Sequence, residues 1–446
     1  MHDTHTEGAT RLARGTPLTS AIDASDATAW TDLDRAVRHL ARTRPSVLPD
    51  QSWATGRRFH WSWDAPLPTF TVKRREPDET ALAVALCHPD GRIREAALRR
   101  AADLPAPDLR PLLPLVAIRC ADWAPPVREV ARDLLRDALP GAGPDTIAVL
   151  TTVVLRVAAR RHGAAARTLL EATLRDGPVP VLDTVLVRDD RATRRLAHRI
   201  AVQRRHFSPQ RFAEAAATDP DVVIQDICAD GALAGVGPDT GDEVLLPLLR
   251  SPHSRVRAAG VTALRRAGRP GEAEAFLADR SGLVRACARY VLRQYGIDPA
   301  PLYRALCASG SPPPAAPLGL AECGARGDAA LLRGLTDHPH PGVRARAVAG
   351  LRVLDATDVA RLMQLLDDPA PGVVREVTAA LVPYRERLPV DALRARLATE
   401  HPRHVRVAAF RLLRAHDGPD LREIAWTLVE DAEPRLRANS WALLRS

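Results

Sequence analysis

Apolar residues recur along this chain in blocks of about ten at helical spacing, each block broken by a turn rich in Asp and Pro. Residues 357–388 show the unit. TDVARLMQLL is predicted to be a helix capped by Thr357, and DDPAPG stops it because Pro369 and Pro371 deny the next turn its hydrogen bonds. VVREVTAALVPY is then a second helix. Similar helix starts occur at Ser208 in FSPQRFAEA and at Asp298 in IDPAPLYRAL, each a capping residue followed by Pro in the first helical position.

The opening of the second helix repeats. PGVRARAVAGL around Arg344 returns as PGVVREVTAAL around Arg375, RHVRVAAFRLL around Arg406 and EPRLRANSWALL around Arg437, each arginine 31 residues after the last. The same slot continues backwards through Arg285, Arg257, Arg194, Arg128 and Arg94, with Gln225 in one position and degenerate slots near 160 and 315. A fixed period of this length marks a repeat protein, with about twelve units from residue 77 to 446. The fold class is all-α. Aromatics make up only 4% of the residues, so the core must be Leu, Val and Ala, which suits close-packed short helices.

A turn acid, then Pro, then Val-Arg, as in Asp337, Pro339, Val343 and Arg344, resembles the HEAT repeat family, especially the bacterial HEAT-like repeats also found in phycobilin lyase subunits. The resemblance implies a right-handed α-solenoid of helix-turn-helix repeats. It also implies a charge ladder between neighbouring units, with Asp279, Asp337, Asp367, Glu400 and Asp431 as the acids and Arg285, Arg344, Arg375, Arg406 and Arg437 as their partners. An arginine at the mouth of a packed helix pair needs a carboxylate and turn carbonyls for its fork of donors, so the physics agrees.

In that family the second helix lines the concave face, the usual gripping surface of a solenoid. Counting from the ladder arginine as zero, positions −1, +3, +7 and +10 fall on the buried side, and +1, +5 and +8 face out. At +8 stand Arg136, Arg265, Arg293, Arg352, Arg414 and Arg445, a row of cations that a helix C-terminus also favours through its dipole.

Before the repeats, residues 1–27 are expected to be a disordered tail and 28–76 a Trp-rich cap holding four of the seven tryptophans. TAWTDLDRAVRHL places Trp30, Leu33, Val37 and Leu40 on one side of a helix that can lie against the first repeat. Beyond it, Trp53, Phe59, Trp61 and Trp63 form an aromatic segment that either covers the open end of the solenoid or offers a stacking platform beside Arg57 and Arg58.

Charge changes the picture locally. The formal net charge is +9, yet residues 90–215 carry 22 arginines against 15 acids, whereas 216–446 carry 30 against 28. The densest patch is RATRRLAHRIAVQRRHF, with Arg195, Arg199, Arg204 and Arg205, which has the look of a phosphate-contacting groove or of a solvated helix face. Lys73 is the only lysine, so the arginine content reads as coding bias and basic charge alone says little about function.

No catalytic signature is present: there is no HExxH, GxSxG, GxGxxG or P-loop. Six scattered cysteines without a CxxC pair read as small buried groups, and His338, His340, His401 and His404 sit in turns, so neither a metal nor a cofactor is expected. Nothing resembles a leader or an 18-residue apolar span, and a cytosolic location is expected. Two functions remain. One is a non-enzymatic scaffold that binds a protein partner along the concave second-helix face. The other is a nucleic-acid binder using a basic groove in residues 90–215, akin to DNA glycosylases built from such repeats, for which Asp122 with Trp123 offers the residue types but no motif. Arginines individually paired with turn acids would favour the scaffold.

Overall fold

The computed structural model describes residues 3–55 and 76–445, and among them every regular element is a helix. Two units divide the chain. One comprises residues 1–215 with 219–231, the other residues 216–218 with 232–446.

In the first unit residues 3–27, part of the stretch expected as a tail, include two helices before the one that starts at Ala27. Helices Asp3–Ala13 and Leu18–Ala21 bury Ala9, Leu12, Leu18 and Ala21, and the backbone N–H of Leu18 donates to Glu79 Oε1 at 3.0 Å. Apolar side chains too few to mark a helix by pattern are enough once a neighbouring surface receives them. Helix Ala27–Thr43 follows, capped by Asp26, which accepts from the Thr28 N–H at 2.8 Å. Its buried stripe is the predicted Trp30, Leu33, Val37 and Leu40, and the Trp30 Nε1 donates to the Ala24 carbonyl at 3.0 Å. This helix packs on Leu113–Arg119 and Pro144–Ala158, inside the repeat array. Helix pairs then succeed one another: Glu79–Leu86 with Gly91–Ala102, Leu113–Arg119 with Pro125–Ala138, Pro144–Ala158 with Ala164–Asp176, and Val179–Leu186 with Arg191–Arg204.

The second unit repeats the scheme. Its second helices Pro341–Val353, Pro371–Leu381, Arg403–His416 and Pro434–Leu444 pack side by side in chain order. Val343, Ala347 and Leu351 are buried as their register requires, and the core continues through Val373, Val377, Leu381, Phe410 and Leu413. Some first helices are short or tightened: Pro270–Ala278 is a 3₁₀ helix, and Val359–Leu365 is capped by Asp358 rather than by Thr357, with Asp358 accepting from the Arg361 N–H at 3.1 Å. Ser208 and Asp298 cap their helices as expected.

Candidate functional site

The complete ladder arginines, Arg94, Arg257, Arg285 and Arg344, make two kinds of bond at once. The Nη1 of each donates to the turn carbonyls six and five residues earlier in its own repeat, as in Arg94 to His88 and Pro89 (both 2.8 Å), Arg257 to Ser251 and Pro252 (2.8 and 3.0 Å) and Arg344 to His338 and Pro339 (2.9 and 3.0 Å). The Nε and Nη2 form a fork that grips a carboxylate of the following repeat: Arg94 holds Asp122 at 2.9 and 2.8 Å, Arg257 holds Asp279 at 2.9 and 3.0 Å, and Arg344 holds Asp368 at 2.8 Å twice. Arg194 with Asp219, Arg285 with Glu322 and Arg406 with Asp431 complete the joints of this kind among the described residues. The acid then closes its own turn. Asp122, Asp279, Asp368 and Asp431 each accept the backbone N–H two residues on, at 2.8–3.0 Å, immediately before the second helix starts.

A positional rule emerges: the acid stands six residues before the ladder slot of its own repeat and serves the arginine of the repeat before. This corrects part of the sequence assignment. In PGVVREV the slot after PGV is occupied by Val374, which is 1% exposed, and Arg375 is one residue further round the helix, outside the ladder and 69% exposed. Glu400 occupies the six-before position, but Val374 offers it no cation, and Glu400 is exposed without an ion pair among the described residues. Asp337 and Asp367, each one residue short of that position, pair instead with Arg361 and Arg396 on neighbouring first helices. Arg285 takes Glu322 because the turn of the next repeat, SPPPAAP, contains no acid. Arg128 and Arg437 donate to their turn carbonyls and have no acid partner among the described residues. Gln225, in the same slot, keeps the carbonyl half by donating to Asp219 at 2.6 Å.

The candidates in residues 90–215 are largely absorbed into this wall. Asp122 is buried; burial pushes its carboxyl up, but hydrogen bonds from Arg94 and the Ala124 N–H, with the charges of Arg119 and Arg94, outweigh it and hold the group below the usual carboxylate range. Both of its oxygens accept hydrogen bonds. Trp123 is exposed, with the Arg94 guanidinium 5.9 Å from its ring centroid. Within the basic patch, Arg195 grips Asp221 through two bonds of 2.8 and 2.9 Å, and Arg204 donates to the carbonyls of Leu174 and Gly177 at the end of the preceding second helix. Hydrogen bonds from Arg195, against a burial cost and with further help from Arg191 and the Val223 N–H, hold Asp221 far below the ordinary range. Arg199 and Arg205 are exposed.

The +8 positions differ. Arg136, Arg265, Arg293, Arg352, Arg414 and Arg445 are all exposed, and among the described residues only Arg136 meets a carboxylate, Asp133 on its own helix. Arg265 lies 5.8 Å from the ring of Tyr290 and Arg445 5.6 Å from that of Trp441. Trp53 is half-buried in helix Ser52–Thr55, which packs on Gly91–Ala102; Phe59, Trp61 and Trp63 lie outside the described residues.

Among the described residues no group of three or more His, Cys, Asp or Glu could hold a metal ion, and no helix is long and apolar enough to cross a membrane. All six cysteines are free, and burial pushes the thiols of Cys120, Cys228 and Cys307 up to about 12. His340 caps a second helix by accepting the Gly342 N–H at 3.1 Å, a turn role rather than a ligand role.

Residues 329–414 match the HEAT repeats family. No curated protein matches the chain. Solved structures similar to it include Kap121p (13% identity over 81% of this chain and 48% of that one, TM-score 0.33). Kap121p bound to Nup53p (13%, 80% and 47%, 0.33) and Kap121p bound to RanGTP (14%, 82% and 48%, 0.32) are also similar, so this chain spans about half the length of those proteins.

Proposed function

Because residues 329–414 are HEAT repeats, we propose that the chain is a non-enzymatic scaffold that binds a protein partner along the outward face of its second helices. The observation that carries this reading is the division of labour among the arginines. Those at the ladder slots are mostly consumed by neighbouring carboxylates and turn carbonyls, whereas Arg265, Arg293, Arg352, Arg414 and Arg445 at +8 are exposed and meet no carboxylate among the described residues. The buried acids Asp122 and Asp221 are likewise held by arginine forks, a structural use of both. The nucleic-acid alternative has fewer free cations for the same reason, since Arg94 and Arg119 are held by Asp122 and Asp34, Arg194 by Asp219, and Arg191 and Arg195 share Asp221.

The test is site-specific photo-cross-linking from position 293 or 352 in the source cells, with position 333 on the first-helix side as control. A partner trapped from 293 and 352 but not 333 is then purified and titrated against an Arg265/Arg293/Arg352/Arg414→Ala variant. Weakening of about tenfold or more supports the reading. Equal cross-linking from all three positions, or an unchanged affinity, would overturn it.

A further inference from the structure

Three cavities adjoin one another across the second helices of the second unit. One of about 420 Å³ is lined by Arg280, Ala345, Arg346, Val373 and Arg375. The next, about 470 Å³, shares Arg375 and adds Val374, Arg403, Val407, Arg411 and Arg435. A third of about 420 Å³ shares Val407 and Arg411 and reaches Phe410 and Arg414. Shared side chains make them one trough, with an apolar floor and guanidinium walls.

The walls are under-neutralised. Arg403 meets Glu433 at 2.7 Å and Arg375 reaches Glu376 only at 3.5 Å, while the side chains of Arg346, Arg411, Arg414 and Arg435 have neither ion pair nor hydrogen bond among the described residues. That is unlike the ladder arginines two or three angstroms from their acids, and it leaves charge that an incoming anion would complement.

We propose that this trough takes an extended acidic segment of a partner protein, with an acidic residue at about every third position and small aliphatic residues between. The spacing follows from geometry: packed helices repeat every 8–10 Å or so, and an extended chain rises about 3.3 Å per residue, so about three residues span one helix. The aliphatic preference follows from the floor, where the half-buried Ala345 and Val407 offer shallow apolar seats. A nucleic acid suits the trough less well. No Trp or Tyr lines these cavities for a base to stack on, and Glu376 stands in the wall. The proposal rests on the scaffold reading above and names the chemistry of the partner on that face.

Fluorescence anisotropy on the full chain tests it with a labelled 15-residue peptide of five Glu-Ala-Val repeats, the Lys-Ala-Val counterpart and a single-stranded 15-mer oligonucleotide, at low and physiological salt. The Glu peptide is expected to bind and weaken with salt, the Lys peptide not to bind, and an Arg375/Arg411/Arg435→Glu variant with an unchanged thermal melt to lose about tenfold or more in affinity. A milder Arg→Gln triple, which keeps the side chains long and polar, should lose affinity several-fold and guards against misfolding of the first variant. No binding of the Glu peptide at low salt, or binding indifferent to both triples, overturns the proposal. So does an oligonucleotide that binds more tightly than the peptide and is lost in the triples, which reassigns the trough to nucleic acid. The +8 cross-linking experiment reads out separately: a partner trapped there while the Glu peptide fails leaves the scaffold and removes the acidic segment.

Discussion

Replacing Asp122 by Asn keeps the side chain's shape and withdraws its charge. The wild-type carboxylate accepts from Arg94 Nε and Nη2 at 2.9 and 2.8 Å, from Arg119 Nη1 at 3.2 Å and from the Ala124 N–H at 3.0 Å, and the Arg94 and Asp122 side chains are 0% and 1% exposed. An amide retains one acceptor oxygen but turns an NH₂ toward guanidinium donors, leaving Arg94 charged and sealed from water. Breaking a buried pair from one side costs about 3–5 kcal/mol. Breaking the exposed Arg99–Glu95 pair on the same helix, by Glu95→Gln, costs only about 0.3–0.5 kcal/mol. Urea unfolding followed by circular dichroism separates the two. An Arg94→Met/Asp122→Leu double variant should recover much of the loss, because the penalty lies in the unpaired charge rather than in the absence of the pair. The pH dependence has a definite sign. The folded carboxyl titrates below its ordinary 3.8, so its contribution is complete above that value and disappears as pH falls through the folded value. The gap between wild type and Asp122→Asn should therefore hold level from pH 7 to 5 and narrow below about 3.8. A loss under about 1 kcal/mol for Asp122→Asn at pH 7 would refute the reasoning.

Arg344→Ala should cost about 2–3 kcal/mol by orphaning Asp368, whereas Arg375→Ala should stay within about 0.5 kcal/mol although both open the same phrase; thermal melts of the two decide whether the slot or the phrase matters. At Gly319 an added Cβ would run into the Tyr303 ring, and Tyr303 is fully buried with its hydroxyl donating to the Leu277 carbonyl at 2.8 Å. Gly319→Ala should then lose about 1–3 kcal/mol, read as a lower urea midpoint; an unchanged midpoint would mean the ring shifts freely. Native protein at pH 8 should leave Cys120, Cys228 and Cys307 unreacted with a thiol reagent until urea is added, since burial pushes those thiols up to about 12; rapid native labelling of any of them would contradict their placement.

Much of the fold was legible because periodicity reports it directly. Val343, Ala347 and Leu351 had to share a face whatever they packed against, and Trp30, Leu33, Val37 and Leu40 likewise. The ladder was half legible. Aligning on arginine put Arg375 in the slot, and aligning on PGV would have put Val374 there; burial favours the apolar residue, and the sequence alone has no measure of burial. Pairing across repeats was harder still. Asp367 and Asp368 are adjacent in the chain, yet one faces Arg396 and the other Arg344, a choice made by the direction in which the turn leaves the first helix. The patch around Arg195 was only partly legible for a similar reason: a run of cations on a helix looks unneutralised until Asp221 arrives from the next turn to meet Arg195, while Arg199 and Arg205 stay exposed. The trough was legible only as outward positions. Which outward arginines converge depends on how neighbouring second helices nest, and that is a property of packing.

The six-residue offset between acid and arginine has an evolutionary consequence. Each repeat carries one half of two different joints, an acceptor for the repeat behind it and a donor for the repeat ahead, so the array has a direction. Duplicating a repeat that carries both its turn acid and its ladder arginine leaves the new seams with both halves in place. Val374 and Glu400 mark a seam where the cation is absent and the array continues. Such a protein can therefore be lengthened repeat by repeat, and its reach can drift over generations while its wall stays the same.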